Sequence, residues 1–331
     1  MTEYSSNQPI RKEWTEKGLL ACLLAGMANE REREVTFWNF EVYFYMRRAI
    51  TRASRCSATT LALLCSVRAR PLSMLAVNQE RLQRALDSVS IGEPPRIELT
   101  LGEATMPSNG LAVLDSSFNP PTRAHLHMLD AATKTFGMGR SLLLLAKQNA
   151  DKPVVGASRV PRRELMEAIA ATAEPPGSML CGVTAHPLFV DKATALQQLF
   201  GDREGGVRIV VLVGFDTWVR IVDPKYYAPG GLDAALRDIF RAVEVLVASR
   251  DPASVSNLEP LRTEEQEALV LSLSDQVTGG RLHFLRNDPL VADLSSSAVR
   301  KAVAAGDGSS ARAMLPDCLI SFVEERGLYT S

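Results

Sequence analysis

The sequence predicts an α/β protein. The expected architecture is a three-layer α/β/α Rossmann-like fold around a parallel sheet, with an N-terminal extension in front. Three observations carry this. Short apolar runs recur from residue 111 onward, and most are followed by a stretch with helical spacing of apolar positions. Strands alternating with helices are the pattern of a parallel sheet covered on both faces. The first hundred or so residues lack that regularity.

In chain order, residues 1–70 read as the extension. Residues 42–79 contain no Asp or Glu but carry Arg47, Arg48, Arg52, Arg55, Arg68 and Arg70 among Ser, Thr and Ala. Arg-rich, Ser-rich and acid-poor composition is that of a mitochondrial presequence. Some forty residues precede it here, so mitochondrial targeting, with real initiation at Met46, is the minority reading, and a solvated leader or a spurious extension of the gene model are the others. Residues 71–110 are expected to be a helical lead-in, with a helix over 77–89 and a break at "GEPP", 92–95. The regular region, 111–331, follows. Its expected strands are "LAVLDSS", "SLLLLAK", "SMLCGVTA", "VRIVVLVGFD", "VEVLVASR" and "RLHFLRN". Its expected helices span 124–136, 161–173, 192–200, 264–273, 295–305 and 316–326.

Composition narrows the function. The chain is 46% hydrophobic, enough for a sizeable core. A formal net charge of −1 leaves no bulk basic footprint, so no nucleic-acid partner is expected. The stretch "GLLACLLAGMA" is too short to span a bilayer, and no membrane partner is expected. The five cysteines form no C-x-x-C pair, which reads as a reduced intracellular protein without a cysteine metal site. No protein-bound metal site is expected.

In a wound sheet, ligands bind at the carboxyl ends of the strands where strand order reverses. The stretch "LDSSFNPPTRAHLHM", 114–128, sits at such an end and leads into a helix. A helix N-terminus offers unpaired N–H groups and a positive dipole end, which suit phosphate. Pro120 and Pro121 stiffen the turn, Asn119 and Thr122 can bond neighbouring backbone, and Thr122 is a plausible cap. His125 then falls in the first turn. His125 and His127 lie two residues apart and do not share a helix face, so a metal pair is not expected. Near the other end, "LSSSAVRKAV", 294–303, places Ser295, Ser296 and Ser297 at a helix start and Arg300 one turn in. Hydroxyls, N–H groups and a guanidinium together suit a β- or γ-phosphate. After the fourth strand, Gly214 permits close approach and Asp216 can accept from a ribose diol. Trp218 and Tyr226 are aromatic candidates for stacking on a ring.

"SSFNPPTRAH" resembles G-S-F-N-P-x-[TH]-x-x-H, the signature of the nicotinamide mononucleotide adenylyltransferase family, Rossmann-like nucleotidyltransferases with an H-x-G-H-type motif. The matching residues are Ser117, Phe118, Asn119, Pro120, Thr122 and His125. Thr122 stands where many relatives have the first histidine, Ser116 where glycine is usual, and Ala124 where glycine or another small residue is usual. "LSSSAVR" is similar to the family's I-S-S-T-x-I-R, and "LPDCLISFVEERGLY" is similar to its terminal helix. Lys152 maps onto a lysine that precedes a helix reading R-x-x-M, matched here by Arg163 and Met166. The resemblance implies adenylyl transfer from ATP to nicotinamide mononucleotide (NMN), forming NAD and pyrophosphate. It assigns catalysis to His125, Lys152 and Arg300. It assigns ATP and phosphate binding to Ser116, Ser117, Phe118, Asn119, Thr122, Gly214, Asp216 and Ser295–Ser297. Acceptor binding falls to Trp218 and Arg163. Mg²⁺ would travel with ATP on phosphates and water. A cytoplasmic or nuclear setting is expected, and a homo-oligomer is compatible with the reading. Alternatives are a cytidylyl- or adenylyltransferase for another phosphorylated acceptor, or a nucleotide-binding protein or weak ATPase without transfer.

Overall fold

The computed structural model describes residues 72–105, 109–147, 158–201, 207–251 and 260–330. The extension 1–70 lies outside the described residues, as do Lys152 and nearly all of the acid-poor segment. The fold below belongs to the unit Ser73–Ser331.

Helix α1 (Leu72–Asp87) opens it, starting earlier than the spacing predicts. Strand β1 (Glu98–Leu101) follows inside the segment expected to be a helical lead-in. The segment therefore contributes to the sheet. Next come β2 (Leu111–Asp115), α2 (Arg123–Phe136), β3 (Arg140–Ala146), α3 (Arg159–Ala170), β4 (Met179–Thr184) and α4 (Phe189–Phe200). The second half runs β5 (Ile209–Gly214), α5 (Phe215–Ile221), a 3₁₀ turn at Pro224–Tyr226, α6 (Leu232–Ala242) and β6 (Glu244–Ala248). It then runs α7 (Thr263–Leu271), α8 (Asp275–Thr278), β7 (Leu282–Leu285), α9 (Pro289–Ala292), α10 (Ser296–Ala304), α11 (Gly308–Met314) and α12 (Asp317–Glu325).

The seven strands lie in the order β1-β4-β3-β2-β5-β6-β7. Strands β2 to β7 are parallel, while β1 pairs antiparallel with β4 at the edge. The expected parallel sheet is present, and β1 adds an antiparallel edge strand to it. Chain order reverses between β2 and β5, so the crevice of the fold opens above those two strand ends.

Alternation along β2 builds both faces at once. Ala112 and Leu114 join a core with Met128, Leu129, Leu165, Met166, Val299 and Leu319 from α2, α3, α10 and α12. Leu111 and Val113 join the opposite core with Leu196, Trp218, Ile239 and Val270 from α4, α5, α6 and α7. This gives three layers. Helix α1 belongs to the first face: Leu82 and Leu86 are buried, and Arg81 pairs with Glu167 of α3 at 2.6 Å. Helix α2 is bounded as its sequence implies. Extended Thr122 precedes it, and Gly137 closes it in the left-handed region at φ 64°, donating its N–H to the Thr133 carbonyl.

Candidate active site

A crevice of about 470 Å³ opens at the reversal point, within the range of small-molecule sites. From the first signature, Ser116, Ser117, Asn119 and His125 line it; from the second, Ser295, Ser296, Ser297 and Arg300. Gly214 and Asp216 line it from the end of β5. The two signatures, some 170 residues apart, therefore share one site.

The local geometry fixes the state of His125. The Thr122 backbone N–H donates to Nδ1 at 3.0 Å, and the Thr122 hydroxyl lies 2.8 Å from the same nitrogen. Nδ1 is thus the acceptor, and the proton of the neutral ring sits on Nε2, 2.9 Å from Ser116 Oγ. Burial, reinforced by the Arg250 charge and opposed by Asp216, lowers the imidazole from 6.5 to about 4. The ring is neutral at pH 7 and presents an N–H. Phe118 packs 5.6 Å from it, fully buried, at φ 44°, a left-handed conformation uncommon for an aromatic residue. Phe118 and Thr122 are both at 0% exposure, so they support the histidine rather than line the crevice.

Helix α10 is clamped onto this loop. Ser295 caps it, its hydroxyl accepting from the Ala298 N–H at 3.1 Å. Ser296 donates its hydroxyl to the Pro120 carbonyl at 2.8 Å. Arg300 donates to the Asn119 carbonyl at 2.6 Å and to Ser297 Oγ at 3.1 Å. Arg300 is therefore a brace as well as a charge. Buried Tyr329, pushed up to about 12 by desolvation against the pull of Arg162 and Arg300, backs this end of the site.

At the β5 end, Asp216 lies 3.4 Å from Arg220 and 3.7 Å from Arg250. A Cβ on Gly214 would meet Asp216 Oδ1 at 2.8 Å, so glycine leaves that carboxylate its place. Gln266, 1% exposed, bonds both the N–H and the carbonyl of Arg250 and sets the end of β6. On the other side, Lys192 pairs with Asp115 at 2.6 Å, both side chains nearly buried. Five basic side chains line the crevice against two carboxylates, a balance suited to polyphosphate.

Two expectations for acceptor contacts are corrected. Trp218 is 2% exposed and packs in the core, 6.5 Å from the Phe240 ring; Phe215, Trp218 and Ile221 form the buried face of α5, leaving no face free to stack. Tyr226 does line the crevice, with Tyr227 beside it. Arg163 is fully buried, and its guanidinium is lowered to about 10 by desolvation. Its neighbour Arg162 faces the crevice instead, about 100° further around the helix. Met166 is core. Arg162, Lys192, Arg220 and Arg250 escaped the sequence reading. For Arg250 a signal exists: a charge directly after the buried run "VEVLVAS".

No family profile matches the sequence. The chain is 32% identical over 220 residues to a Schizosaccharomyces pombe protein named for nicotinamide mononucleotide adenylyltransferase activity, covering 64% of this chain and 83% of that one. It is 27% identical over 229 residues to a Trichlorobacter lovleyi protein named for nicotinate-nucleotide adenylyltransferase activity, covering 66% and 98%. A solved structure of Plasmodium falciparum nicotinic acid mononucleotide adenylyltransferase complexed with NaAD matches at 12% identity and a TM-score of 0.47, covering 66% of this chain and 97% of that one.

Proposed function

This chain belongs to the nicotinamide and nicotinate mononucleotide adenylyltransferase family, nucleotidyltransferases of NAD biosynthesis, and from that membership we propose that its acceptor is NMN and its donor ATP. The observation that carries the reading is the fixed Nε2–H of His125, held in one crevice with the clamped N-terminus of α10. The relative at 32% identity, named for NMN, supports the choice of acceptor.

A phosphate oxygen of NMN attacks the α-phosphorus of ATP in line. The bond from the α-phosphorus to the β-bridging oxygen breaks and pyrophosphate leaves with that electron pair. Negative charge grows on the α-phosphoryl oxygens and on the leaving group. His125 exchanges its contact with Ser116 Oγ for an α-phosphoryl oxygen, as a neutral donor that needs no protonation change. The α10 N-terminus and Arg300 take the β- and γ-phosphates. Asp216 accepts from the ribose hydroxyls. The protein contributes positioning and charge stabilisation.

Both crevice carboxylates are already paired, Asp115 with Lys192 and Asp216 with arginines. They fit a resident metal poorly, and Mg²⁺ is expected to arrive on the ATP phosphates. The test is pyrophosphate release with ATP or CTP against NMN, nicotinate mononucleotide (NaMN) and other phosphorylated acceptors. Release with ATP and NMN is expected. Release only with CTP, or only with an unrelated acceptor, would replace this reading.

A further inference from the structure

The two relatives named above differ in one chemical respect. One is named for an acceptor whose pyridine carries a carboxamide, the other for an acceptor that carries a carboxylate. The crevice holds an ion pair that the transfer chemistry does not use. Lys192 Nζ lies 2.6 Å from Asp115 Oδ2, with side-chain exposures of 10% and 7%. Asp115 ends β2, and Lys192 sits in the first turn of α4. Both line the crevice.

We propose that the Asp115–Lys192 pair reads the pyridine 3-substituent and selects the carboxamide over the carboxylate. This rests on the adenylyl-transfer reading above. That reading places phosphates at His125 and α10 and the ATP ribose at Asp216, on the β5 side of the crevice. The acceptor ring is left the β3–β4 side, where Ala146, Phe189 and Lys192 form the wall.

The pair matches one group and penalises the other. Among the described residues the Lys192 ammonium donates to Asp115 Oδ2 alone and so retains donors, and Asp115 Oδ1 remains an acceptor. A donor beside an acceptor complements a carboxamide, which offers C=O and N–H₂ side by side. A carboxylate offers acceptors alone. It would find the ammonium already neutralised and would bring a second negative charge against Asp115 in a largely desolvated place. Without Asp115, the same lysine would favour the acid.

The experiment measures kcat/KM for NMN and for NaMN at saturating ATP in the full chain. It compares wild type, Asp115→Asn, and the uncharged pair Asp115→Asn with Lys192→Gln. Wild type should prefer NMN. Asp115→Asn keeps an acceptor for Lys192 but leaves its charge unbalanced, and should shift the NMN-to-NaMN preference toward NaMN by about tenfold to a hundredfold. The uncharged pair removes the repulsion and should also erode the preference; it keeps the test open if Asp115→Asn fails to fold. An unchanged preference in a folded variant overturns the assignment. So does a wild type that prefers NaMN, which would leave adenylyl transfer itself standing. A wild type that adenylylates neither acceptor overturns the functional reading, and this inference with it.

Discussion

Replacing His125 by alanine removes one neutral N–H donor whose position is set by backbone. Nδ1 is held by the Thr122 N–H at 3.0 Å, so Nε2 carries the proton into the crevice. Loss of one preorganised donor to a developing oxyanion costs about 2.7–4 kcal/mol of transition-state stabilisation, or about 10²–10³ in rate. The ground state should suffer less, because the proposed function gives the outer phosphates to α10 and Arg300. The fold loses the reciprocal contact at the helix start, on the order of 1 kcal/mol, which a domain with this core tolerates. The assay is kcat at saturating ATP and NMN, with KM for ATP followed separately. His127→Ala is the control: His127 is two residues on and does not line the crevice. His125→Ala should lose about 10²–10³-fold in kcat with a small change in KM, and His127→Ala should stay near wild type. Equal losses in the two variants, large or small, would show that His125 is not the donor to the α-phosphoryl group.

The low pKa of His125 carries a stability consequence. In the unfolded chain the ring titrates near 6.5, in the folded chain near 4. Its contribution is thus complete above pH 6.5 and is lost as pH falls toward 4, by at most about 3 kcal/mol and less for a ring partly open to the crevice. Urea midpoints from pH 7 to 4.5 should fall more steeply in wild type than in His125→Gln; parallel curves would contradict this. Arg300→Ala removes a charged donor from the Asn119 carbonyl, worth about 1.5–3 kcal/mol. It should both lower the melting temperature and raise KM for ATP, and a melting temperature unchanged in the variant would demote the brace. Trp218→Ala empties a core site and should cost about 3–5 kcal/mol in chemical denaturation. KM for NMN in the folded fraction should hold, and a selective rise in that KM would return Trp218 to the acceptor site.

The sheet was legible because its strands are buried on both faces. Runs such as "SLLLLA" have no polar side to hide, and Leu142–Leu145 are indeed at 1% exposure or less. Strand β1 escaped notice because "ELTL" is four residues at an edge, partly exposed, two residues after the "GEPP" break. The two signatures were legible because each couples a helix start to polar side chains of the kind that suit a phosphate, and both line the crevice. Which of two adjacent arginines faces a crevice was not: helix rotation is set by packing, and it turned Arg162 inward to the site and Arg163 into the core. The Asp115–Lys192 pair spans 77 positions and exists only through the sheet order. Trp218 misled through proximity to Asp216, although Phe215, Trp218 and Ile221 recur at a spacing that already marks a buried helix face.

In the proposed function this crevice moves the adenylyl group of ATP onto a mononucleotide phosphate. The direct measurement uses ATP labelled at the α-phosphate, with the full chain, Mg²⁺ and NMN, and separates the products by chromatography. The label should move into the dinucleotide NAD while pyrophosphate is released unlabelled in equal amount. Label that stays in ATP, or that appears as ADP or AMP with no dinucleotide formed from NMN or NaMN, would contradict it.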